Sequence, residues 1–365
     1  MRRIDWARGA LLAFAFFLPA SAQTIPQFQV DPQWPKPLPN NWLVGQVASV
    51  AVDANDHVWI LQRPRSLSED EKGATLTPPR SKCCAPAPSV MEFDADGTFI
   101  QGWGFPTARP WVANEHGIHV DRDGFVWIAG NANDDSAIYK FTKDGKPVLT
   151  IGVAGPTGGS NDTTRLGRPA TLEVDEAARE LFVADGYGNR RVIVFDSETG
   201  AFKRYWGAYG NKPNDDRQPA YSPSTPPSRQ FANPVHCATL SRDGKVYVCD
   251  RTNNRIQVFR KDGTFETEWF YDKSTLGSGA VWGLAMWPDA NQTYMLNNDG
   301  ENNLVRILRR SDGQVVGGFG RSGRHAGDFH WVHAIAVDSK GNVYTGEVDN
   351  GKRVQKFKPT NGAPK

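Results

Sequence analysis

The 365-residue chain has only four methionines, seven histidines and four cysteines. After residue 22 it has no apolar run long enough to span a bilayer as a helix. It also lacks a charge excess: 42 lysines and arginines stand against 40 aspartates and glutamates. That balance gives no support to a surface built for nucleic acid or an anionic membrane. The long 3.6-residue periodicity of amphipathic helices is missing as well. What remains is 36 glycines, 25 prolines and 12 tryptophans, the composition of an all-β chain rich in turns.

Arg2, Arg3 and Arg8 precede an apolar run, Leu11 to Leu18, and Ala20-Ser21-Ala22 follows. This order reads as a secretory signal over residues 1–22. Its removal takes three arginines and one aspartate and leaves the two signs of charge equal in number. The mature protein is expected to be exported (periplasmic or secreted), monomeric and without a membrane anchor. Cysteines can oxidise there. Cys237 and Cys249 flank the turn Ser241 to Lys245 symmetrically, so they could bond across a hairpin or remain two buried thiols. Cys83 and Cys84 are adjacent; a bond between neighbours strains the backbone, so free thiols are expected unless another partner exists.

One stretch recurs six times: a strand, a tight turn and a second strand, clearest in EHGIHVDRDGFVWIAG from Glu115. The first strands close on Asp53, Asp121, Asp175, Ser241, Trp287 and Asp338. Two further short strands follow each hairpin, at a period of about 40 residues. One such unit cannot bury both faces of its sheet, whereas six arranged radially can. The expected fold is therefore an all-β, six-bladed β-propeller over residues 47–359. An arm at 23–46 precedes it, with Phe28 to Val30 as a candidate ring-closing strand, and a tail at 360–365 follows. Polar insertions at 64–88 and 208–229 interrupt the pattern.

Five positions before those strand ends stand Ala48, His116, Ala170, His236, Trp282 and His333. Histidine thus occupies one structural position in repeats two, four and six. In a propeller these positions line the axial channel about 120° apart, and three converging imidazoles suit zinc with a fourth position open. The bland alternative is three hydrogen-bonded histidines at a channel mouth, which would be preferred for any one of them alone. The other histidines read as ordinary: His57 in a turn, His119 facing between blades, His325 and His330 in the loop leading to blade six.

The second strand of each blade returns to the end of the channel where the histidines lie. Arg63 and Arg251 end that strand in blades one and four, and Tyr187 follows it in blade three. Both insertions emerge at the same end, where long loops tend to carry function. Each arginine could equally be a solvated rim charge, and Tyr187 a packing residue. Arg255 and Arg190 read as structural ties between strands.

These residues resemble the NHL-repeat propellers and, more narrowly, the peptidyl-α-hydroxyglycine α-amidating lyases. The likeness rests on HGI at His116, FANPVH before His236, WVHAIAVD at His333, DGYGNRRVIVF around Tyr187 and DRTNNRIQVF at Arg251. It implies zinc on His116, His236 and His333, catalysis by Tyr187 and Arg63, and Arg251 in the substrate site. Two departures stand out. Ala334 occupies the place of an acidic residue that helps hold calcium in that family, so a calcium site would lack that ligand. Gly188 replaces a cysteine that would form a disulfide. The expected reaction cleaves an N-acyl-α-hydroxyglycine, small or peptidic, to an amide and glyoxylate. The alternatives are a metal-dependent, lactonase-like hydrolase and a non-enzymatic propeller that binds a protein or glycan.

Overall fold

The structure is a computed structural model that describes residues 24–362 and 364. The expected signal at 1–22 lies outside the described residues. Six four-stranded antiparallel sheets form six blades. Their inner strands are Gln46–Val52, Glu115–Val120, Leu172–Asp175, Val235–Leu240, Gly283–Met286 and Val332–Val337. Each inner strand touches the next around a closed ring. Blades one to five run from inner to outer strand in chain order. Blade six takes its outer strand from the other end of the chain, where Gln27–Asp31 pairs antiparallel with Arg353–Asn361. This pairing joins the two ends of the chain and closes the ring, so the last blade is not left as a three-stranded sheet with an open edge.

The turn residues explain why the hairpins form. In blade two, Asp121 Oδ1 accepts the Phe125 amide, while Oδ2 accepts the indole N–H of Trp127 at 2.9 Å. Asp53 does the same for His57 and Trp59, and Asp338 for Asn342 and Tyr344. One carboxylate therefore sets the turn and anchors an aromatic six residues on. Those aromatics, with Phe182, Tyr247 and Tyr294, are buried, and most of them sit in apolar clusters between neighbouring blades. Each such side chain takes roughly 150–250 Å² out of water.

At the other end of the second strand, a buried acid grips an arginine at the start of the third. The pairs are Asp185–Arg191 at 2.8 Å, Asp250–Arg255 at 2.7 Å, Asp299–Arg306, and Glu347–Arg353 at 2.7 Å. Arg191 and Arg255 also donate to carbonyls of the preceding inter-blade loops, at Ser160, Asp162 and Arg165 and at Gln230. Arg255 is thus a tie between strands. In blade three the tie is Arg191, while Arg190 turns outward to Asn233 and to the Asp216 carbonyl in the insertion.

Blade one has no such acid. Gln62 takes that place, accepting the Gly45 amide and donating to the carbonyls of Ala87 and Pro88. It thereby clamps the exit of the 64–88 insertion, whose Ala85–Pro86 pairs with Trp42–Leu43. Glu71 in the same insertion reaches Lys352 of blade six at 2.6 Å. Cys83 and Cys84 are bonded to each other, which corrects the expectation of free thiols: the peptide between them is cis and brings their Cα atoms to 3.1 Å. Cys237 and Cys249 face each other in register and form the second disulfide.

Candidate metal centre

The inner hairpins of four blades slip register by one residue, between Val47 and Ser49, Glu115 and Gly117, Val235 and Cys237, and Val332 and Ala334. The residues skipped are Ala48, His116, His236 and His333. A bulge re-aims the extra side chain, and the three imidazoles meet on the axis. Their ring centroids are 4.9–5.2 Å apart, and their nearest ligand nitrogens all lie within 4.8 Å of one another. All three side chains are buried.

The intervening ring positions orient them. His116 Nδ1 meets the Ala170 carbonyl at 2.9 Å, His236 Nδ1 the Trp282 carbonyl, and His333 Nδ1 the Ala48 carbonyl at 2.7 Å. A carbonyl only accepts, so each Nδ1 carries the proton and each Nε2 presents a lone pair. Gly117 makes room for this: a Cβ there would lie 2.4 Å from the Ala170 oxygen. Burial first, and then neighbouring positive charge, hold all three rings neutral. His116 is pushed well below the usual range by burial, His333 and Arg63, and His236 by burial and Arg251. His333 falls to about 3, from burial followed by Arg63 and Arg251.

Tyr187 enters from blade three. Its hydroxyl lies 2.9 Å from His116 Nε2 and 3.1 Å from His236 Nε2, and accepts from Arg251 at 3.2 Å. The loop that carries it is wedged against blade four, where a Cβ on Gly186 would fall 2.0 Å from the Val235 carbonyl oxygen. Asn233 fixes the loop by donating to the carbonyls of Gly186 and Asn189.

The donor count is the test of fit for a metal. Three neutral imidazoles present three lone pairs, and the phenol has one proton to give. Among the described residues, His333 Nε2 has no protein partner. Protonation does not settle the imbalance, because burial and the arginines oppose it. A cation that takes three nitrogen ligands and leaves a fourth position open does settle it, and zinc is the metal whose chemistry matches that set. A second grouping, Asp53, His57 and Glu92, does not compare. Glu92 there is already committed to His57, Lys143 and Gln101, and Asp53 to its turn and Trp59.

Arg63 and Arg251 flank the histidines from blades one and four. Arg63 Nε donates to the Glu115 carbonyl at 2.7 Å and its Nη1 to Gln46 at 2.8 Å. Its partial burial lowers its pKa from the usual guanidinium range. Arg251 lies 4.4 Å above the Trp282 ring and 5.7 Å from that of Tyr187. Among the described residues neither forms an ion pair with a carboxylate. Arg251 thus brings positive charge to the channel mouth without a carboxylate partner, while the charge of Arg63 is offset in part by the nearby Glu115.

Sequence reasoning did not find Gln46, Glu115 or Trp282, nor the three carbonyls. The ring alignment held the signal: the non-histidine positions supply the carbonyls, and Glu115 precedes His116. Glu115 also accepts from Ser89, Trp111 and Arg65, and so seats the start of the 64–88 insertion beside Arg63. Of the other histidines, His57 bonds Glu92, His330 bonds Asp349, and His119 accepts the Val174 amide of blade three at 3.4 Å. On the far side of the histidines the channel holds a cavity of roughly 280 Å³, onto which His119, Glu173 and Thr239 open. Burial lowers His119 to about 4 and raises Glu173 to about 8.

Residues 235–259, the first three strands of blade four, match the model of the NHL repeat. NHL repeat-containing protein 3 of Mus musculus is 27% identical over 354 residues, covering 92% of this chain and 85% of that protein. Peptidyl-glycine alpha-amidating monooxygenase B of Xenopus laevis is 26% identical over 342 residues, covering 90% of this chain. The match takes up 35% of the length of that longer protein. A probable peptidyl-alpha-hydroxyglycine alpha-amidating lyase of Caenorhabditis elegans is 26% identical over 145 residues, which is 40% of this chain and 36% of that protein. A solved structure of streptogramin B lyase shares the fold, with a TM-score of 0.51 at 13% identity over 92% of this chain and 98% of that one. The chain is thus a six-bladed β-propeller that carries an NHL repeat, and its distant relatives include NHL repeat-containing protein 3 and amidating enzymes.

Proposed function

We propose that the protein is a zinc-dependent lyase that cleaves an N-acyl-α-hydroxyglycine to an amide and glyoxylate. One observation carries the reading. Three neutral imidazole lone pairs converge on the axis, with the Tyr187 hydroxyl between two of them and the guanidiniums of Arg63 and Arg251, neither in an ion pair among the described residues, alongside. A zinc ion held by His116, His236 and His333 would lower the pKa of a substrate hydroxyl brought to it. The substrate is a hemiaminal. Its hydroxyl gives up a proton, the oxygen electrons form the C=O of glyoxylate, and the C–N bond breaks. The departing nitrogen keeps the bonding pair and takes up a proton.

The chain's own groups match those needs. Tyr187, ionised beside zinc and the two arginines, would accept the hydroxyl proton at Oη and hand that proton to the departing nitrogen, returning to the phenolate. Arg251 and Arg63, lacking carboxylates of their own, can hold the substrate carboxylate. The matched lyase of Caenorhabditis elegans and the amidating monooxygenase of Xenopus laevis support the assignment. The two disulfides fit the proposed exported, oxidising location. The test is release of glyoxylate from N-acetyl-α-hydroxyglycine by the zinc-loaded protein. Tyr187→Phe should lose roughly 10²- to 10⁴-fold in kcat with zinc retained. No glyoxylate from zinc-loaded wild type would end the proposal.

A second reading, a binding propeller without turnover, draws on the similarity to NHL repeat-containing protein 3 over 85% of that protein. It requires that replacing the three histidines leave partner binding intact.

A further inference from the structure

We infer that Trp282 is a positioning residue: its indole holds Arg251 over the axial site and thereby fixes the end of the site that receives a carboxylate. The inference rests on the lyase reading for its substrate but not for its geometry.

The ring position itself is the first observation. Where blades one and three carry Ala48 and Ala170, blade five carries Trp282, which is 1% exposed. The second is the environment of Arg251. Every other buried arginine is neutralised: Arg191 by Asp185, Arg255 by Asp250, Arg306 by Asp299. Among the described residues Arg251 has no carboxylate, and its Nε is buried without a hydrogen-bond partner. Its guanidinium makes one hydrogen bond, to Tyr187 Oη at 3.2 Å. The Trp282 face, 4.4 Å away, is what holds the charge in place.

The indole is itself fixed. Its N–H donates to the Gly279 carbonyl at 2.6 Å, and its ring packs T-shaped against Trp331, centroids 5.3 Å apart. Gly279 also seats the Arg251 backbone, because a Cβ there would fall 2.0 Å from the Arg251 carbonyl oxygen. One short loop thus sets both partners of the stack. An arginine held by an aromatic face keeps its charge for an incoming anion, whereas one held by a carboxylate does not. The Trp282 carbonyl orients His236 separately, through the backbone. The indole also packs T-shaped against the His333 ring at 5.6 Å and the His236 ring at 6.1 Å, so zinc per chain is read in each variant to separate the positioning of Arg251 from disturbance of the ligands.

The experiment compares wild type with Trp282→Phe, which keeps a π face, and Trp282→Met, which fills space without one. Three quantities are read: zinc per chain, affinity for N-acetylglycine by calorimetry, and the NMR signal of the Arg251 Nε–H, assigned with Arg251→Lys. Zinc content should stay unchanged in both variants. N-acetylglycine affinity should fall roughly tenfold in the methionine variant and within about threefold in the phenylalanine variant. The Arg251 signal should be shifted upfield by the indole in wild type and lose that shift in the methionine variant. Equal affinity in Trp282→Met and wild type, or loss of zinc from both variants, would overturn the proposal; the latter would make Trp282 structural. If wild type binds no N-acetylglycine, the substrate reading falls. The NMR signal then decides the positioning: loss of the shift in Trp282→Met sustains it, and an unchanged signal refutes it.

Discussion

Replacing Tyr187 by phenylalanine removes one oxygen from the centre of the site, and its cost should depend on whether metal is present. In the metal-free protein that oxygen serves His116 Nε2, His236 Nε2 and Arg251. Its loss strands one further imidazole lone pair in a buried site, since the phenol has a single proton to give, and leaves an arginine donor without its acceptor. Each buried polar group without a partner costs about 1–3 kcal/mol, so the metal-free variant should be destabilised by about 2–4 kcal/mol. With zinc bound, the imidazole lone pairs are occupied in both proteins. Only the arginine donor is then affected, at about 1 kcal/mol. The difference, roughly 1–3 kcal/mol, must reappear as tighter zinc binding by Tyr187→Phe, by about 5- to 150-fold. The assay is urea unfolding of wild type and variant, each with chelator and with saturating zinc. An equal loss of stability in both conditions, or a larger one with zinc, would refute the reasoning that the phenol and the metal compete for the same lone pairs.

Three further perturbations test the fold around the site. Glu173 has a folded-state pKa near 8, raised by burial above its ordinary 4.5. Its contribution to stability is therefore present below pH 4.5 and is lost as pH rises towards 8. Glu173→Gln should flatten the stability–pH profile, removing a loss of up to ~3 kcal/mol between pH 4.5 and 7; an unchanged profile would contradict this. Arg255→Leu leaves Asp250 buried without its guanidinium, and chemical denaturation should show about 3–5 kcal/mol of destabilisation; a change below about 1 kcal/mol would count against the tie. Cys237→Ala with Cys249→Ala opens a loop of 12 residues and should cost about 3 kcal/mol in the zinc-free protein, read from the shift in urea midpoint.

The repeat was legible because each blade writes its turn and its aromatic into the sequence. Asp121 and Trp127 stand six residues apart for the same reason as Asp53 and Trp59: one carboxylate serves both the turn and the indole. The alternation of His116, His236 and His333 was legible because a closed ring turns a sequence period into an angle. The bulges were not, since no residue type marks the slip between Glu115 and Gly117, and regular strand parity passes over it. Nor were the Nδ1 acceptors, because backbone carbonyls are present at every residue and only the closed ring selects those of Ala48, Ala170 and Trp282. Trp282 stood in the alignment as an exception to alanine. Its stacking on Arg251 depends on the loop through Gly279, whose course is set by contacts across blades. The Cys83–Cys84 bond went the other way: strain between neighbours was expected to keep the thiols free, and the two are bonded.

The most direct test of the metal centre is elemental analysis of the purified protein, beside a variant carrying His116→Ala, His236→Ala and His333→Ala. Three oriented imidazoles on one axis predict about one zinc per chain in wild type. That zinc should be absent from the variant, with the propeller still folded. A folded wild type that takes up no metal when supplied with zinc, or a variant that retains it, would contradict the centre.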